Sequence, residues 1–240
     1  MTYCVGLLLR QGIVLLSDTR TNAGLDNIAT YRKMFVFQVP DERVIAILTA
    51  GSLSVTQTTL ARLEEATETE TETIPSILAA PTMLQVAEIV GRTLNAVTRE
   101  VSERLASMKQ SARASMIVAG QRKGGAMRMF LVYPEGNFIE ATEDTPYLQI
   151  GEHKYGKPIL DRVITPDTPL ADAEKAVLLS MDSTLRSNLS VGMPLDLAVI
   201  EKDACAISRQ RRIEAGDPGF AAMSDAWSQA LREGFRRITL

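Results

Sequence analysis

The chain has 240 residues, 45% of them hydrophobic and 23% charged, a balance that suits a globular protein able to bury a substantial core. Its 26 Lys and Arg against 29 Asp and Glu leave a net charge of −3, and the scattered cations exclude a nucleic-acid footprint. No apolar run approaches the roughly 18 residues of a membrane span, and the apolar start lacks the basic flank and cleavage site of a secretory signal, so a cytoplasmic protein is expected.

The N-terminus reads strand, turn, strand: Tyr3 to Leu9 is apolar, Gly12 sits in a turn, and Ile13 to Ser17 is apolar again. Thr19 to Tyr31 reads as a polar loop, with Asn22, Gly24, Asp26 and Asn27 as turn formers. Lys33 to Gln38 alternates as a strand does, and Arg43 to Ala50 is a continuous apolar strand ending at Gly51. Leu53, Thr56, Leu60 and Leu63 mark one face of a first helix. The acidic Thr67 to Thr73 repeat reads as an exposed loop. Met83 to Lys109 carries apolar residues at Leu84, Ala87, Val90, Leu94, Val97, Val101 and Leu105, the pattern of a long amphipathic helix.

Strands return at Ser115 to Gly120, Ala126 to Tyr133 and Asn137 to Thr142, joined by Gly- and Pro-bearing turns that predict hairpins. Gly120 to Gly125 resembles a phosphate loop only superficially and reads as one of these turns. Tyr147 to Ile150 leads into Gly151, helices are expected over Lys157 to Val163 and Leu170 to Leu185, and Leu195 to Glu201 with Ala204 to Arg209 forms a last hairpin. The run from Arg209 to Arg212 is expected to be a solvated strand exit, and Met223 to Phe235 a short closing helix. Antiparallel strands alternating with helix pairs predict an α+β fold: a four-layer αββα sandwich of two antiparallel sheets, with no linker dividing residues 1–240.

The histidine count narrows the chemistry. His153 is the sole histidine, so schemes with a His base behind Ser or Cys are disfavoured, and no GxSxG elbow is present. His153 itself reads as an exposed loop residue, with an acid–base role as the other reading. Cys4 and Cys205 stand far apart and read as reduced core thiols, and no zinc-type ligand spacing appears, so no metal or other cofactor is expected. A Thr follows the initiator Met, a combination that permits Met1 removal. Thr2 would then carry a hydroxyl and an α-amine whose ordinary pKa of about 8 suits a base near neutrality. Pairing through the Gly12 turn brings Asp18 beside Thr2, and the strand starting at Lys33 can deliver an ammonium to the same sheet end, lowering the hydroxyl's pKa. Read singly, Asp18 is a turn cap and Lys33 a solvated strand start.

The segments Thr2-Tyr3-Cys4-Val5-Gly6, Ser17-Asp18-Thr19-Arg20, Arg32-Lys33-Met34-Phe35 and Thr49-Ala50-Gly51-Ser52 together resemble proteasome β-subunits and HslV, members of the N-terminal nucleophile hydrolases. The Tyr3-Cys4 start, the Asn22-Ala23-Gly24 loop and Thr30-Tyr31-Arg32-Lys33 are most similar to the bacterial proteasome-related family called Anbu. The resemblance implies Thr2 as nucleophile with Asp18 and Lys33 as partners, a Gly51 N–H in an oxyanion hole, and Arg20, Ser187 and Ser190 as supporting residues. Two positions depart from the family pattern: Glu152 stands where a supporting Ser is usual, and Ser187 where an Asp is usual, with Asp182 nearby but out of register.

The function implied is a self-assembling threonine peptidase acting on peptides or unfolded proteins. Its homo-oligomer would be a ring or an open helical ring, with Met83–Lys109, Asp161–Leu185 and the tail as contact surfaces. An amidase for a small or modified peptide amide and a silent assembly scaffold are the other readings. No ATPase motif lies in the chain, so energy-driven unfolding would need a separate ATP-dependent partner.

Overall fold

The inner strands of this chain are apolar on both faces because both faces are covered. The computed structural model describes residues 1–22, 28–69, 74–106 and 112–239. Strands β1 (Tyr3–Leu9) and β2 (Gly12–Asp18) form a hairpin in which Val5 faces Leu16 and Leu7 faces Val14. Tyr3, Val5, Leu7, Val14 and Leu16 enter one core, and Cys4, Ile13 and Leu15 enter another on the opposite face. The period-two geometry of a strand thus splits one continuous apolar run between two cores.

The polar segment after β2 differs from the loop expected. Arg20–Asn22 and Ile28–Thr30 pair as a small antiparallel ribbon, β3 and β4. Its strands are three residues long, too short for an apolar alternation to register. The Ala23 to Asn27 turn formers lie outside the described residues.

A second sheet is built from β5 (Met34–Val39), β6 (Arg43–Gly51), β7 (Ala114–Arg122), β8 (Arg128–Val132) and β9 (Phe138–Glu140), in that spatial order. The first sheet runs β10-β1-β2-β11-β12, where β10 is Tyr147–Gly151, β11 Leu195–Glu201 and β12 Arg209–Ile213. All pairings are antiparallel. Met34, Leu48, Ile117, Ala119 and Met129 of one sheet meet Cys4, Ile13, Leu15, Leu148 and Ile150 of the other.

Helices cover the outer faces. α1 (Leu53–Glu68) and α2 (Met83–Leu105) pack Val55, Leu63, Val90 and Leu94 against Ile45, Ile47, Val118 and Phe130. α3 (Lys157–Val163) and α4 (Leu170–Ser187) pack Leu160, Val177 and Met181 against the first sheet. The result is the expected αββα sandwich. Among the described residues no helix is long and apolar enough to cross a membrane.

Several boundaries moved. α2 runs Met83–Leu105, and residues 107–109 of the expected helix lie outside the described residues; Ala87, Val90, Leu94 and Val97 are buried as expected, whereas Leu84 is exposed and Met83 and Val86 turn inward in its place. The second strand of the last hairpin is Arg209–Ile213, not Ala204 to Arg209. Asp203 and Cys205 adopt positive φ values of 64° and 50°, which an extended strand cannot accommodate. The arginine run therefore lies within the strand, on an exposed sheet edge where charge discourages further pairing. The closing helix α5 spans Pro218–Arg237, longer than expected, because Asp217 caps it by accepting from the Phe220 N–H at 2.8 Å and Pro218 starts it.

Leu94 is fully buried where α2 meets the second sheet. Leu94→Ala is expected to lower unfolding free energy by about 2–5 kcal/mol, seen as a lower urea midpoint at unchanged slope.

Candidate active site

The strand ends that precede and follow the two hairpins converge at one edge of the sandwich. Thr2 precedes β1, Asp18 ends β2 and Gly151 ends β10, all from the first sheet; Lys33 precedes β5, and Thr49 and Gly51 end β6, all from the second. Thr2, Asp18 and Lys33 are all buried.

Lys33 joins the sheets. Its Nζ donates to Asp18 Oδ1 at 2.7 Å, to the Arg20 carbonyl at 2.6 Å and to the Met1 carbonyl at 3.3 Å. Asp18 accepts two backbone bonds besides: Tyr3 N–H to Oδ1 at 3.1 Å and Gly192 N–H to Oδ2 at 3.2 Å. Burial pushes the Asp18 carboxyl above its ordinary value, and the Lys33 ammonium and the two N–H donors pull against that shift. The neighbouring Cys4 thiol is raised far above its ordinary range, first by burial and then by the Asp18 charge.

Backbone contacts fix the residue between the sheets. The Thr2 carbonyl accepts from the Glu152 N–H at 2.7 Å. Gly151 beside it has φ +82°, and a Cβ there would stand 1.9 Å from the Thr2 carbonyl oxygen. Gly51 has φ +107°, and a Cβ would press to 2.3 Å from the Arg113 carbonyl. Both positions demand glycine. A cavity of about 270 Å³ opens on Thr2, lined also by Met1, Lys33, Thr49 and Gly51. Thr49 ties the site to the core: its N–H donates to the Lys33 carbonyl at 2.9 Å, and its carbonyl accepts from Cys4 Sγ at 3.6 Å.

The structure thus brings Thr2, Asp18, Lys33 and Gly51 together. The supporting residues are placed differently. The Arg20 guanidinium donates to the Leu189 carbonyl at 2.9 Å and lies against Gly192, so it braces the turn whose N–H reaches Asp18. Ser187 is exposed at the end of α4, and the half-buried Ser190 donates its backbone N–H to Asn188 Oδ1. Asp182 faces α5, accepting from Ser224 Oγ at 2.7 Å. His153 is exposed, with Nδ1 3.1 Å from the Gly151 carbonyl. Gly151, Gly192 and Thr49 act through backbone groups, and no side-chain motif advertises them.

The model of the family described as proteasome subunit matches residues 2–200. The chain belongs to the proteasome subunit family. Its likeness to solved structures puts it with Anbu, the bacterial proteasome-related branch. A mutant Anbu from Hyphomicrobium sp. strain MC1 is 47% identical with a TM-score of 0.93, over 100% of this chain and 99% of that one. Anbu from Yersinia bercovieri is 41% identical with a TM-score of 0.91, over 99% and 98%. Anbu from Pseudomonas aeruginosa, solved as a helical assembly, is 42% identical with a TM-score of 0.92, over 99% and 97%. No curated protein matches the chain.

Two outcomes are expected of the proteasome-type site. Asp18→Asn removes the charge that neutralises buried Lys33, so unfolding free energy falls by about 3–5 kcal/mol in denaturant titration. Tyr3, hydrogen-bonded at 2.6 Å to both Ser180 and Gln149, has a hydroxyl pushed up to about 12, chiefly by burial. The unfolded phenol ionises near its ordinary value of 10.0 and the folded one does not. Its stabilising effect is therefore complete below pH 10 and lost on the way to pH 12, by about 2–3 kcal/mol. Tyr3→Phe should show no such component in urea melts across that range.

Proposed function

We propose that this Anbu-family chain is a self-assembling threonine-type peptidase whose nucleophile is Thr2 after Met1 is removed. The observation that carries this is Lys33, whose ammonium is held by Asp18 while it reaches the carbonyl of the Met1–Thr2 bond. An ammonium in that place would lower the pKa of the Thr2 hydroxyl once the amine is free. The amine would take the hydroxyl proton as Oγ1 attacks the amide carbon, and the Gly51 N–H would donate to the oxyanion. The amine then returns the proton to the leaving nitrogen, leaving an ester on Oγ1. Water, deprotonated by the same amine, cleaves the ester and restores Thr2. In this reading Arg20 supports the site through the Gly192 turn, and Ser187 and Ser190 stand as outer support.

Self-assembly fits the helical assembly of the Pseudomonas relative and the exposed apolar side chains of Leu231 and Phe235 on α5 and Ile238 just beyond it. The assembly would be a ring or open helical ring in the cytoplasm, receiving peptides or unfolded chains, with any ATP-dependent unfolding supplied by a separate partner. The narrower variant of this reading has a small or modified peptide amide as the substrate.

Intact mass should show Met1 absent from the purified protein, and an epoxyketone, which needs both hydroxyl and amine, should form one adduct lost in Thr2→Ala. Peptide-library cleavage should fall by at least about a hundredfold in Thr2→Ala. Retained Met1, or equal cleavage by both proteins, would leave the scaffold reading standing.

A further inference from the structure

The cavity that opens on Thr2 is unevenly charged. Among the described residues its wall carries two cations, Lys33 and Arg32, and no carboxylate. Lys33 is engaged by Asp18 and the Arg20 carbonyl. Arg32 is exposed and, among the described residues, forms no ion pair or hydrogen bond. It acts electrostatically on Asp196, whose carboxylate is paired with Arg212 at 3.4 Å.

Arg32 also borders a second cavity of about 610 Å³, lined by Tyr31, Phe35, Phe37 and Glu64. Arg32 thus lines both the cavity at Thr2 and this larger one. Among the described residues lining the two cavities the one carboxylate is Glu64, which borders the larger cavity and not the one at Thr2. A guanidinium with a free planar fork beside the nucleophile matches a carboxylate better than any other side chain.

We infer that Arg32 selects substrates carrying an Asp or Glu side chain next to the attacked amide. The position of that amide rests on the hydrolase reading; the charge preference of the cavity does not. Because Arg32 is exposed, the preference is modest, about fivefold to tenfold, and weakens with salt.

Binding is read on Thr2→Ala protein, which cannot turn over, by fluorescence anisotropy. The probes are three labelled hexapeptides differing only in a central Glu, Gln or Lys. The Glu peptide should bind about fivefold to tenfold more tightly than the Lys peptide at low ionic strength, with Gln between, and the gap should close at about 0.5 M salt. Adding Arg32→Glu should invert the order, while Arg113→Gln, outside this cavity, should leave it intact. Equal affinities, no binding of any peptide, or an order unchanged by Arg32→Glu overturns the inference. Cleavage of the same peptides by wild-type protein is scored separately. Charge-selective binding without cleavage counts against the hydrolase reading and leaves the Arg32 assignment in place.

Discussion

The ion pair between Lys33 and Asp18 is the interaction on which the rest of the site depends. Asp18 ends a strand of one sheet and Lys33 begins a strand of the other, so the pair forms only when the sheets have closed face to face. Burying two charges is unfavourable unless each finds further partners. Asp18 finds the Tyr3 and Gly192 amides, and Lys33 finds the Arg20 and Met1 carbonyls. Those partners lie in the N-terminal segment from Met1 to Tyr3, the turn after α4 and the start of β3, so three separate segments are drawn to one point. Folding and assembly of the candidate machinery are the same event.

Around that pair, most of the work is done by backbone. Thr2 is held from behind by the Glu152 amide, and Gly151 lets the chain pass close enough to do so. Arg20 acts on Asp18 indirectly, by fastening the turn that carries the Gly192 amide. The replacements at Glu152 and Ser187 fit this arrangement. The site uses the backbone N–H of residue 152, which any residue but proline would supply, and residue 187 faces solvent.

The two-sheet architecture was legible in the sequence because runs such as Ile13–Leu16 and Val44–Leu48 are continuously apolar, short, rich in Val, Ile and Leu and bounded by turns, the pattern of a strand covered on both sides. The nearness of Thr2 and Asp18 was legible because a tight hairpin fixes which strand ends are neighbours; Lys33, expected at the end of the same sheet, instead reaches them from the facing sheet, which the hairpin alone does not reveal. The ribbon of Arg20–Asn22 with Ile28–Thr30 was hidden by its polarity and shortness, and β12 by its arginines, since an exposed edge strand has no core to alternate toward. Gly192 and Thr49 were hidden for a different reason: they contribute an N–H or a carbonyl, which every residue has, so only geometry reveals them.

Cys4 lies two residues from Thr2 and shares its N-terminal segment, so a covalent reagent found on that segment has two chemically plausible acceptors. Burial separates them. The Cys4 sulfur is closed off between the sheets, kept protonated, and turned toward the Thr49 carbonyl. Thr2 faces an open cavity. Thiol chemistry at this N-terminus is therefore silent while the fold is intact, and Cys4 becomes visible only when the sheets part. One short peptide can report two things at once: modification at Thr2 reads the folded site, and modification at Cys4 reads its loss.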